Sequence, residues 1–215
     1  MLDSLKGKIV EIAIKAEHYG LCKEKTGNFS IRDKDTGYIL ITPSGIGREE
    51  LKVEHICVLD LDGNVIEVEK GIKPSSEVLM HIEIYKTREN INAISHTHSL
   101  YATAFSVAKK PIIPIVYESV NYGGYVDIAS YERPGTLKLA KSVSKLLIDT
   151  DACLLERHGL TTVGNDLDEA LLKSRYVEEV AEIYYRSLVL NQFKELEVVD
   201  VDEFKSWKYP EEIKF

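Results

Sequence analysis

Apolar positions recur at two different periods along this chain, and the switches between them set the order of elements. Leu5, Ile9, Ile12, Ala13 and Ala16 fall at helical spacing and Gly20 follows, which predicts an opening amphipathic helix. Alternating runs then take over. Segments 28–32 and 38–42 flank Asp33-Lys34-Asp35-Thr36-Gly37, a turn composition, and predict a hairpin. A second hairpin is predicted from 57–60 and 65–68, joined by Leu61-Asp62-Gly63-Asn64 with its Asp-Gly signal. Farther on, helix 75–87, strand 91–97, helix 99–107, strand 112–117, helix 135–149, strand 152–157 and helix 166–190 alternate. Hairpins mixed with helical crossovers predict an α/β fold: a central, mostly antiparallel or mixed sheet with helices on both faces.

Composition narrows the class. A chain of 215 residues, 44% hydrophobic and without a Pro/Gly/Ser-rich linker, predicts one domain over 1–215. Its charged last stretch, 198–215, reads as a C-terminal tail, on which Trp207 and Tyr209 are candidates for docking. The formal charge of −8 argues against nucleic acid or an anionic membrane as partner, although a small phosphate can still bind locally. Asp3, Lys6, Lys8 and Glu11 interrupt any secretory signal, and no apolar run reaches membrane-spanning length. Cys22, Cys57 and Cys153 are odd in number and widely spaced, so reduced thiols and a cytoplasmic location are expected. Glutamine occurs only at Gln192 while Glu, Lys and Ile abound, a thermophile-like composition that bears on stability rather than function.

The candidate chemistry lies at two strand ends. In Ile94-Ser95-His96-Thr97-His98 the histidines stand two residues apart on an alternating run, so both side chains face one point and can share a metal ion. A catalytic metal site wants three protein ligands and an open position. His158, closing the short apolar run 152–157 before Gly159, is the third candidate; Glu77, in Lys73-Pro74-Ser75-Ser76-Glu77, offers a carboxylate as ligand or base. His18 and His55 lack such pairing and read as ordinary residues, while His81 shares a helix face with Glu77 and is a supporting partner only. Three small polar turns could take an anion: Thr26-Gly27-Asn28-Phe29-Ser30, Thr42-Pro43-Ser44-Gly45, and Pro74-Ser75-Ser76 before a helix start. Singly, each is equally an ordinary turn or cap.

In this order, Gly27-Asn28-Phe29-Ser30, Thr42-Pro43-Ser44-Gly45, Pro74-Ser75-Ser76-Glu77, His96-Thr97-His98 and His158-Gly159-Leu160 resemble the motifs of the class II aldolase and adducin-head family over roughly residues 5 to 190. The resemblance implies a three-layer α/β/α sandwich, a homotetramer with active sites between subunits, and one Zn2+ per subunit. It implies zinc held by His96, His98 and His158, and Glu77 as acid/base and additional ligand. Asn28, Ser44, Gly45, Ser75 and Ser76 would bind the substrate phosphate. Tyr117 would reach a neighbouring subunit's site, with Tyr122 and Tyr125 as local rivals. The implied reaction is the reversible cleavage of a ketose 1-phosphate, a small phosphorylated sugar, to dihydroxyacetone phosphate and an aldehyde. Three rivals remain within the family: a methylthioribulose-1-phosphate dehydratase; a 4-epimerase, disfavoured because its pattern has aspartate where Glu77 stands; and a metal-free adducin-like scaffold, disfavoured by the intact histidines. Lys25 departs from the aldolase pattern, which has a small hydroxyl residue there, and the 121–133 loop is where relatives vary.

Overall fold

A computed structural model describes residues 2–202. Helix α1 (Leu2–His18) leads into strands β1 (Asn28–Arg32), β2 (Ile39–Ile41), β3 (Cys57–Leu59) and β4 (Val65–Glu67). There follow α2 (Val78–Thr87), β5 (Ala93–Thr97), α3 (Leu100–Ala108), β6 (Ile128–Ala129), α4 (Leu137–Leu146), β7 (Ala152–Leu155), β8 (Gly159–Gly164) and α5 (Leu167–Leu190). The strands form one sheet in the order β4-β3-β2-β1-β5-β8-β7-β6, antiparallel throughout except for the parallel β6–β7 pair.

Alternation along the strands divides the core into layers. Ile39 and Ile41, Cys57 and Leu59, Ile94, and Cys153 and Leu155 face α2 and α4; there they meet Met80, Ile84, Tyr85, Leu139 and Val143 in one buried cluster. Their neighbours in sequence face the other way. Leu40, Val58 and Ala93 pack on α1 and the start of α5, while Ala152 and Leu154 meet Phe105 of α3 and Val177, Val180 and Tyr184 of α5. Helices cover both faces, as the sequence pattern predicts, and the central strands β1, β5 and β8 are accordingly buried on both sides, their polar residues included.

The differences from that pattern have local causes. The predicted strand 112–117 contributes only an isolated bridge, Ile112 to Val126, and 117–122 forms a 3-10 turn. Pro111 precedes that run and Pro114 interrupts it, and a residue without an N–H cannot donate to a ladder. An additional strand, β8, whose Leu160-Thr161-Thr162-Val163 follows Gly159, pairs with both β5 and β7. The short β6 was likewise not predicted. Helix α2 starts at Val78 rather than 75, leaving 75–77 as a turn that aims Glu77 inward.

Candidate metal centre

Strand β5 lies at the middle of the sheet, and its register sets the site. Asn28 of β1 stands opposite His96, and Thr161 of β8 stands opposite it on the other side. Directly paired residues share a face, so all three point toward α2. Glu77 enters from the first turn of α2 and is itself buried. His98 follows β5, where its N–H donates to Leu21 O at 3.0 Å, and Glu178 of α5 holds the start of α3 just beyond by accepting from the N–H groups of Tyr101 and Ala102. His158 sits in the β7–β8 connection, its N–H donating to Leu155 O.

These four side chains converge: each offers a donor atom, and the four atoms lie within 4.8 Å of one another. His96 Nε2 is 3.2 Å from His98 Nε2 and 3.2 Å from Glu77 Oε2; His158 Nε2 is 3.5 Å from Glu77 Oε1. The three rings meet edge to face with centroids 4.9 to 5.0 Å apart.

His96 Nδ1 donates to Leu160 O at 3.0 Å, which turns Nε2 toward a carboxylate oxygen and a second imidazole. Glu77 Oε1 is buried with no hydrogen-bond partner. Acceptors gathered this way need a cation between them. Donors about 2 Å from one ion in tetrahedral array lie about 3.3 Å apart, which matches the 3.2 Å separations around His96 Nε2. Three imidazoles and a carboxylate fit a divalent metal.

The electrostatics keep these groups in ligand form. Burial holds His98 down to about 3 and His158 down to about 4, with His96 adding to both, so both rings are neutral near pH 7. Burial would push the Glu77 carboxyl up, but the His96 contact, His158 and a hydrogen bond from Asn28 together outweigh it and hold it well below the carboxylate range. An acid/base at working pH would need the opposite shift.

Gly159 is forced by crowding here: a Cβ would run into Thr97 O and stand 3.1 Å from the His98 ring. Gly27 is forced twice over. Its φ is +73°, and a Cβ would lie 2.5 Å from Cys22 Sγ and 2.7 Å from His96 O.

The three polar turns lie side by side. Thr42 N donates to Phe29 O, Ser44 N to Lys73 O and Ser75 N to Thr42 O, so Asn28, Ser44–Gly45 and Ser75–Ser76 border one region next to Glu77. Ser44, Gly45 and Ser76 are exposed, while Asn28 and Ser75 are buried. Lys25 is exposed beside them. Arg48 is a further member of the site's support: buried, it donates to Thr26 O at 2.7 Å and Gly27 O at 3.0 Å and stands over the Phe29 ring, bracing the turn that carries Asn28. A lone arginine after a turn gives no signal of this.

Tyr117 stands outside the cluster. It opens the 3-10 turn Tyr117–Tyr122, which packs on α5, the helix on the opposite face from Glu77, and it is 47% exposed. Tyr122 is fully buried, with its phenol pushed up by burial, whereas Tyr125 is half exposed. Trp207 and Tyr209 lie outside the described residues. No helix among those residues is long and apolar enough to cross a membrane.

Comparison with known proteins agrees with this geometry. The family model of the class II aldolase and adducin N-terminal domain matches residues 7–185. An L-fuculose phosphate aldolase of Methanococcus maripaludis is 40% identical over 168 residues, 78% of this chain and 87% of that protein. A 5-deoxy-D-ribulose 1-phosphate aldolase of Bacillus thuringiensis is 37% identical over 194 residues, 90% of each chain. A solved L-fuculose 1-phosphate aldolase superposes with a TM-score of 0.87 at 34% identity, covering 94% of this chain and 93% of its own. The chain belongs to the class II aldolase and adducin N-terminal domain family, and within it to the lyases rather than the scaffolds.

Proposed function

We propose that this protein is a zinc-dependent class II aldolase. It cleaves a ketose 1-phosphate, with L-fuculose 1-phosphate the first substrate to test, to dihydroxyacetone phosphate and an aldehyde. The observation that carries the reading is the convergence of His96, His98, His158 and Glu77 on one point, beside the three polar turns that carry Asn28, Ser44–Gly45 and Ser75–Ser76. In this reading the three histidines and, in the resting site, Glu77 hold the ion. Zinc suits the imidazole-rich set, and when bound it supplies Lewis-acid stabilisation of the negative charge that builds up on the ene-diolate oxygens.

The chain's own groups do the rest. Asn28, Ser44, Gly45, Ser75 and Ser76 hold the substrate phosphate, so remote binding orients the bond to be broken. When substrate oxygens take Glu77's place beside the histidines, the carboxylate loses the His96 and His158 contacts that hold its pKa down but stays buried. Burial, then opposed mainly by the Asn28 hydrogen bond, moves it up toward working pH, and Glu77 gives a proton to the ene-diolate carbon in cleavage or removes it in synthesis. Tyr117, on an exposed turn, serves a neighbouring subunit's site within a homotetramer, where a phenol handles the proton of the aldehyde oxygen.

The test is release of dihydroxyacetone phosphate from L-fuculose 1-phosphate by purified protein, with and without chelator. Chelator-sensitive release that zinc restores is expected. Release untouched by complete metal removal would refute the reading.

A further inference from the structure

A second polar chain runs from Glu77 into the core on the side away from the histidines. Asn28 Nδ2 donates to Glu77 Oε2 at 2.9 Å, and Asn28 Oδ1 lies 2.6 Å from His81 Nε2. His81 Nδ1 lies 2.6 Å from Ser30 Oγ, which is 2.8 Å from the Tyr85 hydroxyl. Asn28 and the members beyond it are buried, His81, Ser30 and Tyr85 fully so. Arg32, whose guanidinium stands over the Tyr85 ring and donates to Tyr85 O, anchors the far end.

We infer that His81 is a positioning residue: its Nε2–H fixes the Asn28 amide with the NH2 group toward Glu77, and so decides which carboxylate oxygen is left to handle the proton. The inference rests on the role given to Glu77 above.

The order of the chain follows from its one member that can only accept. An ionised carboxylate donates nothing, so the Asn28 NH2 must face Glu77 and Oδ1 must face His81. At 2.6 Å that oxygen requires a proton on Nε2. Burial, with His96 adding to it, holds His81 down to about 3, so the ring is neutral and its Nδ1 is bare, ready to accept from Ser30. The three links from Ser30 to Glu77 then point the same way. With the other tautomer Nε2 would face Oδ1 as a second acceptor, the amide would turn over, and its oxygen would meet the carboxylate. Because Asn28 and His96 both engage Oε2, the oxygen that accepts no hydrogen bond is Oε1. A carboxylate pinned by one oxygen presents the other in a fixed direction.

The sequence brings these groups together through two periods. His81 and Tyr85 follow Glu77 at four and eight residues along α2, on one helix face, while Asn28 and Ser30 stand two apart on one face of β1.

The test reads the tautomer first, by 15N NMR of the assigned His81 ring in metal-free protein, and turnover second. A protonated Nε2 with a bare Nδ1 is expected; the reverse would overturn the inference. In zinc-loaded protein, H81L is expected to keep full metal content and a KM within about threefold of wild type while kcat falls about ten- to hundredfold, the scale of a misplaced reacting group. H81Q, whose amide NH2 reaches where Nε2–H stood, is expected to recover kcat to within about threefold of wild type, since it restores the donor to Asn28. Equal losses in both, or none in either, would overturn the positioning role. Should H81L fail to fold, S30A removes the donor to Nδ1: a second tautomer and a lowered kcat are expected, and an unchanged tautomer with unchanged kcat would contradict the chain. Wild-type protein without aldol activity would sink the functional reading and the kinetic role with it, while the tautomer would still decide the direction of the chain.

Discussion

Two buried polar groups stand back to back on strand β5, one residue apart, and they are built on opposite plans. On the α5 side, Ser95 Oγ lies 3.0 Å from Ser174 Oγ, which lies 2.7 Å from Thr162 Oγ1, and Thr162 donates to Ala170 O at 2.7 Å. That cluster closes on itself. On the α2 side, His96 Nε2 faces a carboxylate oxygen and a second imidazole, and Glu77 Oε1 is buried with no hydrogen-bond partner. Burial is the same at Ser95 and His96, so burial alone does not separate structure from function. What separates them is whether hydrogen bonding is complete without a further atom: a closed hydroxyl cluster stabilises the sheet, whereas acceptors converging without a proton donor mark a place kept for a cation.

Substitutions on the two sides should therefore fail in different ways. The largest expected effect is on the open side: E77Q keeps three imidazoles and hence zinc, yet loses turnover by about 10²- to 10⁴-fold, the usual span for a general acid/base. Metal content beside kcat checks this, and wild-type turnover would exclude Glu77 from the chemistry. Next comes G159A, whose methyl pushes on β5 and His98; zinc affinity measured by competition with a chromogenic chelator should drop about tenfold or more, the cost of disturbing ligand support. On the closed side, S174A leaves two hydroxyls short of a partner and should cost about 1–3 kcal/mol of unfolding free energy with zinc affinity unchanged. A loss of zinc there would erase the distinction between the two clusters.

A pH dependence follows from the same burial. His81, His98 and His158 all have folded pKa values depressed below the unfolded 6.5, to about 3, 3 and 4. The unfolded chain therefore binds their protons first as pH falls. Their contribution to stability is intact above about 6.5 and is lost progressively toward pH 4, with Glu77, also depressed, adding in the same sense below 4.5. Denaturant titrations of metal-free protein should show stability declining from pH 7 to 5; a flat profile would contradict the burial of neutral rings.

Much of the open cluster is legible in the sequence, because a strand's two-residue period puts His96 and His98 on one face and a proline-serine turn announces the entry of Glu77. His158 was legible as a residue but not its setting, since Gly159-Leu160 reads as a turn until β8 is paired with β5. The strand expected at 112–117 was lost to Pro111 and Pro114, whose effect depends on which neighbour they would have had to bond. The link from His81 to Asn28 was half visible: helical spacing places His81 under Glu77, but the β1–β5 register brings Asn28 between them. Arg48 and the Ser95–Ser174–Thr162 group left no trace, because serines, threonines and a single arginine carry no period that marks their partners.

The most direct measurement is exchange of the C3 hydrogen of dihydroxyacetone phosphate in heavy water, followed by NMR, with zinc-loaded protein, chelated protein and E77Q in parallel. The account predicts exchange in the loaded wild type and its loss in both controls; no exchange in fully zinc-loaded protein, or exchange that survives chelation and E77Q, would contradict it.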